Sequence, residues 1–450
     1  MRLSLLCLAL AVSAPVGAQV HAFVDVTVVP MTTAQSLPNH TVVVRDGRIV
    51  AVGPTARVAI PRNATRIDGR GKYLVPGLAE MHAHVPPQTT QPDLLADIMF
   101  LYVANGVTTI RGMLGAPYQL ALREQLRRGE VLGPRFYVGA PSINGNTAPN
   151  PETGARLVRE HRAAGYDLVK IHPGPSRATY DAVIAAGRDV GITFGGHVPA
   201  DVGLAHAIAS AQGTIDHLDG YIEEAAGGVG GVPMQAAWHA ADTAMLRDWA
   251  RRTREAGLFV VPTQFLWQNL MYPPDPDSAA ARPEMRYVPT PWVTGWANQA
   301  RGRIAQNAQQ GVTRADAEVL FAKRNLLLKA LADEGGTVLM GTDSPQMFNV
   351  PGFALHRELA VMAEAGMTPY QILQSGTVNV ADYVRRILGQ EAAFGTIAVG
   401  QEADLVLLDA DPLASIANLA RRSGVMVRGR WVPQAELDAG LARLAAKYRG

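Results

Sequence analysis

Residues 77–82, GLAEMH, begin an alternation of predicted strand and helix that continues through DLLADIMFLYVANG (93–106) to GVTTIRG (106–112). The first and third segments are short apolar or β-branched runs typical of buried strands, and the second has apolar residues at helical spacing. Six more strand-like runs follow, at 135–140, 167–172, 192–197, 214–218, 259–264 and 337–343. Eight strands that alternate with helices predict an α/β fold, the (β/α)₈ TIM barrel. A doubly wound open sheet is the alternative, but no Gly-rich phosphate loop follows the first strand.

Both ends of the chain have a different pattern, with β-type runs at 22–29 and 40–53 and again at 403–412 and 425–433. Asp46-Gly47 between alternating apolar residues is a strong hairpin signal. We expect the two ends to form one small β-sandwich beside the barrel. The predicted organisation is a β-sandwich from 19–76 with 392–433, a barrel from 77–391, and an amphipathic C-terminal helix at 434–450.

The composition is that of a folded protein with no bias towards nucleic acid. The chain has 450 residues, 48% of them hydrophobic, with 41 Lys plus Arg against 39 Asp plus Glu and a net charge of +2. This length suits one large barrel with an appendage, or two domains. The near-zero charge argues against nucleic acid as a partner.

The first residues, MRLSLLCLALAVSAPVGAQ, resemble a secretory leader. One Arg precedes an apolar run that is shorter than the ~20 residues a membrane span needs, and small residues follow at 16–18. We predict a signal peptide at 1–18 and a secreted or periplasmic protein. Cys7 is the only cysteine and lies in this leader, so disulfides, thiolate metal sites and cysteine nucleophiles are not expected in the mature chain.

Residues able to bind metal stand where several predicted strands end. The first strand ends in Met81-His82-Ala83-His84, and residues two apart on a strand face the same side. Imidazole is the commonest zinc ligand, although a single His-x-His is a weak signal. Later strands contribute Lys170, His197, His217 and Asp343. Because barrel active sites lie at the C-terminal ends of the strands, this set predicts a metal site there.

Lys170 lies in the apolar run DLVKIH, in a chain that has only five lysines. A bare ammonium is costly to bury, and burial lowers the pKa of lysine towards a nucleophilic neutral amine. Such an amine can capture carbon dioxide, and the resulting carbamate could bridge two cations. The competing interpretation is a lysine that reaches solvent or forms an ion pair.

The chain resembles metal-dependent hydrolases of the amidohydrolase superfamily, in the imidazolonepropionase-like branch that includes Xaa-Pro dipeptidases and ochratoxin-hydrolysing amidases. The matching stretches are VPGLAEMHAH, ANGVTTIRGM, GYDLVKIH, GGHV, GTIDHLD, LMGTDS, LQSGTVNVADYV and FGTIAVGQEADLVLLDADP. They follow the family order over nearly the whole mature chain. The resemblance implies a (β/α)₈ barrel with a β-sandwich built from both ends of the chain.

The resemblance also implies a binuclear centre, with zinc as the expected metal. It places His82, His84 and Asp343 on the more buried ion, His197 and His217 on the second, and carboxylated Lys170 between the two. This chain departs from the family pattern next to these residues. Glu80 stands where the family commonly has Asp or Asn, Gly112 where it commonly has Asp, and Asp216 where it commonly has Glu. These differences bear on how the metal ligands are held in place and on substrate selectivity.

The implied chemistry is hydrolysis of an amide bond. A water shared by two cations becomes a nucleophilic hydroxide near neutral pH, and Asp343 acts first as general base and then as general acid. We expect dipeptides or N-acyl amino acids with an apolar group as substrates. The alternatives are an esterase, lactonase or phosphotriesterase on the same two-metal site, a cyclic-amide hydrolase, and a non-catalytic metal-binding protein.

Substrate contacts are less well marked in the sequence. His172 lies two residues after Lys170 and faces the same interior, and Tyr221 follows His217 closely. Trp267 belongs to an aromatic-rich connection, 265–311, whose length is typical of a lid or binding loop. A Gly-rich loop is expected at 225–233. The aromatic residues of 265–311 suit either an apolar substrate or a contact in a homo-oligomer.

Overall fold

The computed structural model describes residues 19–87, 93–228, 234–336 and 338–448. The predicted leader, 1–18, and residues 229–233 of the Gly-rich loop lie outside this range. The strands are β1 (Val20–Val28), β2 (Leu37–Arg45), β3 (Arg48–Pro54), β4 (Thr65–Asp68), β5 (Tyr73–Pro76), β6 (Leu78–Ala83), β7 (Val107–Gly112), β8 (Arg135–Val138), β9 (Leu168–Ile171), β10 (Thr193–Gly196), β11 (Thr214–Asp216), β12 (Phe259–Val261), β13 (Leu405–Leu408), β14 (Arg422–Val427) and β15 (Arg430–Pro433).

Helices alternate with the strands of the central part of the chain, as the sequence periodicity predicts. They are α1 (Leu94–Ala104), α2 (Pro117–Arg127), α3 (Pro151–Ala164), α4 (Arg177–Val190), α5 (Leu204–Ala209), α6 (Tyr221–Ala225), α7 (Met234–Ala240), α8 (Thr243–Glu255), α9 (Gln264–Met271), α10 (Pro276–Ala280), α11 (Thr290–Gln309), α12 (Arg314–Asp333), α13 (Phe353–Glu364), α14 (Pro369–Ser375), α15 (Val378–Arg386) and α16 (Gln434–Lys447). No helix in the described ranges has the length and apolar character that crossing a membrane requires.

Strands from the two ends of the chain form one eight-stranded sheet. Its order is β15-β14-β13-β5-β1-β2-β3, with β4 paired to β1. The two ends meet where β5 and β13 pair antiparallel, with Leu405 opposite Pro76. Lys72 and Asp409 reinforce this junction through an ion pair of 2.8 Å. One apolar face of the sheet, which includes Phe23, is fully buried.

The central strands form two parallel sheets, ordered β6-β7-β8 and β9-β10-β11-β12. A bridge between Gly139 and Leu168 joins β8 to β9. Segment 338–344 lies between the other two edges, where Val338 pairs with Val260 and Ser344 pairs with Ala83. Because the strands are parallel, all their carboxyl ends lie on one side, where the candidate site is found.

The eighth predicted strand, 337–343, is not a regular strand, and residue 337 lies outside the described range. Segment 338–344 makes single bridges to its neighbours instead of a continuous ladder. Two local features account for this. The Thr342 amide donates to the side chain of Glu80 at 2.8 Å, and Asp343 has a left-handed backbone with φ 60°, which an extended strand does not allow.

The structure folds the connection 265–311 into helices α9, α10 and α11, so the expectation of an irregular loop is wrong. Its role as a lid or a substrate-binding segment stays a prediction. Its aromatic residues pack mostly inwards. Tyr287 stacks on Phe353 with ring centroids 5.1 Å apart, and Trp296 contacts Phe348 edge-on at 6.1 Å. Tyr272 is the most exposed of these aromatic side chains at 40%. Core packing of the aromatic rings therefore explains most of the cluster.

A glycine on α16 allows this helix to approach α1 closely. A Cβ atom built on Gly440 would lie 2.1 Å from Cζ of Phe100, a buried side chain of α1. We expect Gly440→Ala to lower the free energy of unfolding by about 1–3 kcal/mol, since overpacking costs more than the helix propensity gained. Gly302→Ala in α11 is the matched control, because nothing lies within 4 Å of its Cβ position. This control should raise stability by about 0.5–1 kcal/mol. Urea unfolding of both variants measures the difference, and equal stabilities would contradict the packing argument.

Candidate metal centre

Five histidine rings form a continuous cluster at the carboxyl ends of the parallel strands. The ring centroid of His82 lies 5.6 Å from that of His84 and 4.5 Å from that of His217. His197 lies 4.4 Å from His217 and 5.3 Å from His172. The strands β6, β9, β10 and β11 supply these residues at or just after their ends. The sequence pattern therefore places imidazoles from separate strands in one space.

Asp343 lies at the centre of this cluster. Its Oδ1 is 3.1 Å from His84 Nε2 and 3.8 Å from His82 Nε2. Its Oδ2 is 3.7 Å from His217 Nε2. Ligand atoms of His82, His84 and Asp343 all lie within 4.8 Å of one another, which is a spacing that one metal ion can span.

Lys170 completes the cluster from strand β9. Its side chain is fully buried, and Nζ lies 3.2 Å from His82 Nε2. Burial lowers the pKa of Lys170, while the carboxylates of Asp216 and Asp343 act in the opposite direction. Burial also raises the pKa of Asp343. Burial thus shifts Lys170 towards the neutral amine, which is the form that reacts with carbon dioxide.

Polar side chains outside the cluster contact three of the rings, through hydrogen bonds to His197 and His217 and through a close charge contact with His82. His82 Nδ1 lies 2.8 Å from Asp216 Oδ2, and His197 Nδ1 lies 2.7 Å from Asp219 Oδ2. His217 Nδ1 contacts Thr263 Oγ1 at 2.8 Å. A partner on Nδ1 leaves Nε2 free to face a metal, and metal-binding histidines are commonly held in this way.

Burial keeps the most enclosed imidazoles neutral. It lowers the pKa of His82 and His217 well below the ordinary histidine value, and it lowers the pKa of His84 to about 3. Neighbouring positive groups, among them Lys170, act in the same direction. Neutral imidazole is the form that binds metal.

A buried arginine supports the His82–Asp216 pair. Arg111, in β7, has no exposed surface and lies 3.1 Å from Asp216 Oδ2 through one of its terminal nitrogens. Its remaining nitrogens donate to the Met81 carbonyl oxygen at 2.6 Å and to the hydroxyls of Thr214 and Tyr383 at 3.1 Å. Arg111 therefore links three strands and neutralises the carboxylate that holds His82.

Glu80, one of the departures from the family pattern, ties β6 to the segment that carries Asp343. Its carboxylate accepts hydrogen bonds from the amides of His82 at 2.9 Å and Thr342 at 2.8 Å, and from the Thr342 hydroxyl at 2.5 Å. Burial raises its pKa to about 7. At Gly112, a Cβ would lie 2.7 Å from Phe136 Cε2, so the ring of Phe136 takes the space next to that position.

Three buried polar atoms of the cluster lack hydrogen-bond partners among the described residues. They are Nδ1 of His82, Nε2 of His217 and Oδ1 of Asp343. Buried polar groups are normally satisfied, so unpaired nitrogen and oxygen atoms that converge at one place indicate a missing ligand. The donor set of imidazole nitrogen and carboxylate oxygen fits divalent zinc. The six predicted ligands are thus close together, and their roles as ligands remain predictions.

The three predicted substrate contacts lie at different distances from this cluster. His172 is next to His197, with its Nδ1 at 2.7 Å from Ser142 Oγ, and Trp267 is 6.4 Å from His217 between ring centroids. Tyr221 is fully buried, and its hydroxyl bonds Thr253 at 2.7 Å. The structure therefore does not bring Tyr221 into the cluster, and its predicted contact with substrate has no support from this geometry.

Three residues of the site have left-handed backbone conformations. The φ angles are 66° for His217, 45° for Thr263 and 60° for Asp343. Non-glycine residues rarely adopt this region, and those that do cluster at functional sites. These turns direct the side chains into the cluster at the points where the strands end.

Sequence reasoning did not find Arg111, Asp219 or Thr263. A signal was present for Arg111, because an arginine in the apolar run GVTTIRG is as costly to bury as the lysine in DLVKIH. No comparable signal marked Asp219 and Thr263. Polar residues just after strands are common, and only the three-dimensional structure shows that they contact His197 and His217.

Comparison with known proteins gives a family match over most of the chain. The amidohydrolase family matches residues 73–432. Among curated relatives, the adenine deaminase of Ruegeria pomeroyi is 29% identical over 206 residues, which are 42% of this chain and 34% of that protein. The adenine deaminase of Rubrobacter xylanophilus is 39% identical over 33% of this chain and 25% of its own length. The matched region therefore covers about a third or less of the length of these relatives.

Solved structures match almost the whole chain. Bottromycin amidohydrolase has a TM-score of 0.71 and 26% identity, with 96% of this chain and 91% of that chain covered. A Xaa-Pro dipeptidase with methionine in its active site has a TM-score of 0.66 and 18% identity over 92% of this chain and all of its own. The second likeness concerns the fold alone. Together with the family match, these similarities support the prediction of a TIM-barrel-type α/β fold.

Proposed function

The chain belongs to the amidohydrolase family, whose members are hydrolases that act on carbon–nitrogen bonds, and we propose that it is a binuclear metal-dependent amidase. We further propose that it cleaves dipeptides or N-acyl amino acids with an apolar group. The observation that carries this proposal is the convergence of four histidines, Lys170 and Asp343 at the strand ends. Nε2 of His217, which has no hydrogen-bond partner among the described residues, lies there 3.7 Å from Asp343 Oδ2.

One ion would be held by His82, His84 and Asp343. The other ion would be held by His197 and His217, and carboxylated Lys170 would bind both ions. Two zinc ions bound there would polarise the substrate carbonyl and acidify a water molecule. Carboxylation joins the Lys170 amine nitrogen to the carbon of carbon dioxide and releases one proton. The buried position of Lys170, which favours the neutral amine, supports this step.

Asp343 is the residue that we assign to proton transfer. It lies between His82, His84 and His217 at 3.1–3.8 Å, and its Oδ1 has no hydrogen-bond partner in the described part of the chain. The carboxylate would accept a proton from the attacking water and deliver it to the nitrogen of the leaving amine as the C–N bond breaks. Burial, which raises its pKa, makes the protonated intermediate state accessible.

We also propose that the parallel strands form a closed (β/α)₈ barrel beside a terminal β-sandwich. The bridges Gly139–Leu168, Val260–Val338 and Ala83–Ser344 support this closure, because they link the free edges of the two parallel sheets. The single eight-stranded sheet supports the part of this proposal that joins both chain ends in one β unit. The proposed secreted or periplasmic location rests on the leader sequence at 1–18.

A substrate panel tests the proposed reaction. The 19–450 form, loaded with zinc in bicarbonate, should cleave N-acyl amino acids or dipeptides with aromatic or large aliphatic side chains. The panel should include esters, lactones, phosphotriesters and adenine, and released amine or ammonia should be measured. Amide cleavage that stops after chelation and returns with zinc would support the proposal.

The other outcomes separate the alternatives. Turnover confined to esters or phosphotriesters would keep the metal centre and reject the amidase, and ammonia release from adenine would favour deamination, the reaction named for the curated relatives. Two bound metals without turnover on any compound would reject the substrate class. Met245→Leu is a control that leaves all proposed ligands in place, because Met245 is an exposed residue of α8.

A further inference from the structure

A cavity of about 310 Å³ lies beside the metal centre, between helices α6, α7, α9 and α12. Its inner wall is continuous with the proposed ligands, because Val198 follows His197 and Leu218 follows His217. Trp267, which is 6.4 Å from His217 between ring centroids, also lines it. The cavity therefore adjoins the strand ends that carry His197 and His217.

The other walls of the cavity are largely apolar. Leu204, Ile222, Met234, Trp238 and Leu320 line it. Pockets for small ligands are commonly ~300–1,000 Å³ with apolar walls and a few polar groups that fix orientation. This size and lining suit an aromatic or large aliphatic side chain.

One positive side chain, Arg324 of α12, lies in this apolar wall at 3% exposure. Its nitrogens donate to three uncharged oxygens, those of the Gln264 side chain at 2.7 Å, the His217 carbonyl at 2.9 Å and the Pro262 carbonyl at 3.2 Å. Its guanidinium lies 4.8 Å from the ring centre of Trp267. A guanidinium has five N–H donors, so two remain unused among the described residues.

Three carboxylates, those of Asp219, Glu223 and Glu224, also line the cavity. The fully buried carboxylate of Glu358 also acts on Arg324, and it accepts hydrogen bonds from the amides of Gln264 and Phe265. Asp219 is bound to His197 at 2.7 Å, and the Glu223 carboxylate accepts hydrogen bonds from main-chain amides at the start of α6. Glu224 lines the cavity but is partly exposed. No carboxylate in the described ranges forms an ion pair with Arg324. A buried cation without an ion-pair partner is unfavourable, so a carboxylate that enters the cavity gains a strong interaction.

We propose that this cavity binds the amino-acid half of the substrate, with its apolar side chain against the cavity walls and its free carboxylate on Arg324. The inference rests on the proposed amidase function and assigns the residue that recognises the free carboxylate of its proposed substrates. Arg324 is thereby a specificity-determining residue, and the ligands of the metal centre are not needed to bind this carboxylate.

Direct binding tests this assignment without turnover. We expect the zinc-loaded protein to bind 3-phenylpropanoate about 10–100-fold more tightly than 3-phenylpropanamide in calorimetry, because the acid gains a charge-assisted pair. Arg324→Met should remove that preference, and Arg324→Lys should keep part of it. Lys323→Met is the matched control, since it removes a charge from the adjacent position of α12, whose amine contacts the carbonyls of His239 and Ala241.

Kinetics give a second readout that a structural role would not produce. Arg324→Met should raise KM for N-acetylphenylalanine by about 10-fold or more and leave KM for N-(2-phenylethyl)acetamide, which lacks the carboxylate, unchanged. Equal affinity of the acid and the amide for the wild-type protein overturns the proposal. So does a preference for the acid that persists in Arg324→Met, because the metal centre would then bind the carboxylate. If the wild type cleaves no amide but shows the Arg324-dependent preference, the amidase proposal fails and the carboxylate site stands.

Discussion

Asp343→Asn is expected to lower kcat for amide cleavage about 1,000-fold, within the range that general acid–base catalysis contributes. Asparagine keeps one of the two oxygens, either the one that lies 3.1 Å from His84 or the one that lies 3.7 Å from His217. Its amide cannot accept a proton and return it. We therefore expect the variant to retain most of its metal. Parallel measurements of kcat and of metal content by mass spectrometry separate the two effects.

The control for this variant is Asp333→Asn. Asp333 is a surface residue of α12 that pairs with Lys329, and its loss should leave kcat within a factor of two. A kcat that is undiminished in Asp343→Asn would falsify the assigned proton transfer. Loss of both metal and activity would show that the carboxylate acts mainly as a ligand.

Arg111→Met should lower the free energy of unfolding by about 3–5 kcal/mol, because it leaves the fully buried Asp216 carboxylate without its ion-pair partner. The variant also removes the donors to Met81 and Tyr383. Since Asp216 holds Nδ1 of His82 at 2.8 Å, we expect zinc affinity to fall about 10–100-fold, the usual effect of losing such a supporting partner.

Urea unfolding and zinc titration measure the two effects of Arg111→Met. Arg177→Met is the matched control, because the Arg177–Asp181 pair is about half exposed on each side and such pairs contribute about 1 kcal/mol or less. Equal stabilities for the two variants would show that the buried pair contributes no more than the exposed one. An unchanged zinc affinity would remove Arg111 from the support of His82.

The parts of the site that lie at strand ends could be predicted from the sequence. Strand periodicity places His82 and His84 on one side, and the parallel arrangement brings the ends of several strands to one edge. Lys170 could be identified because a charged side chain in an apolar strand is costly to bury unless it has a function or a partner. These arguments use only local pattern and topology, which a single sequence contains.

The parts of the fold and of the site that could not be predicted depend on packing between segments that are distant in the sequence. The fold of 265–311 into helices was not predicted, although Trp292 and Trp296 have helical spacing. The prolines at 273, 274 and 276 interrupt the pattern, and the rings are buried by contacts with distant segments, such as that of Trp296 with Phe348. Arg324 lies on a helix with other charged residues, and nothing in the sequence distinguishes it from an exposed one. Its burial arises only when α12 packs against Trp267 and the turn after β11.

The sheet built from both ends of the chain has a consequence for the order of events during synthesis. The ribosome makes β1 to β5 first, but β5 pairs with β13, and Lys72 meets Asp409, which follows it by 337 residues. Until β13 emerges, β5 has one edge without its strand partner, and closing so long a loop slows folding. An unpaired edge is also a template for aggregation. This sheet can therefore be completed only after nearly the whole barrel has been translated, so a chaperone that covers the early strands should raise the yield of folded protein.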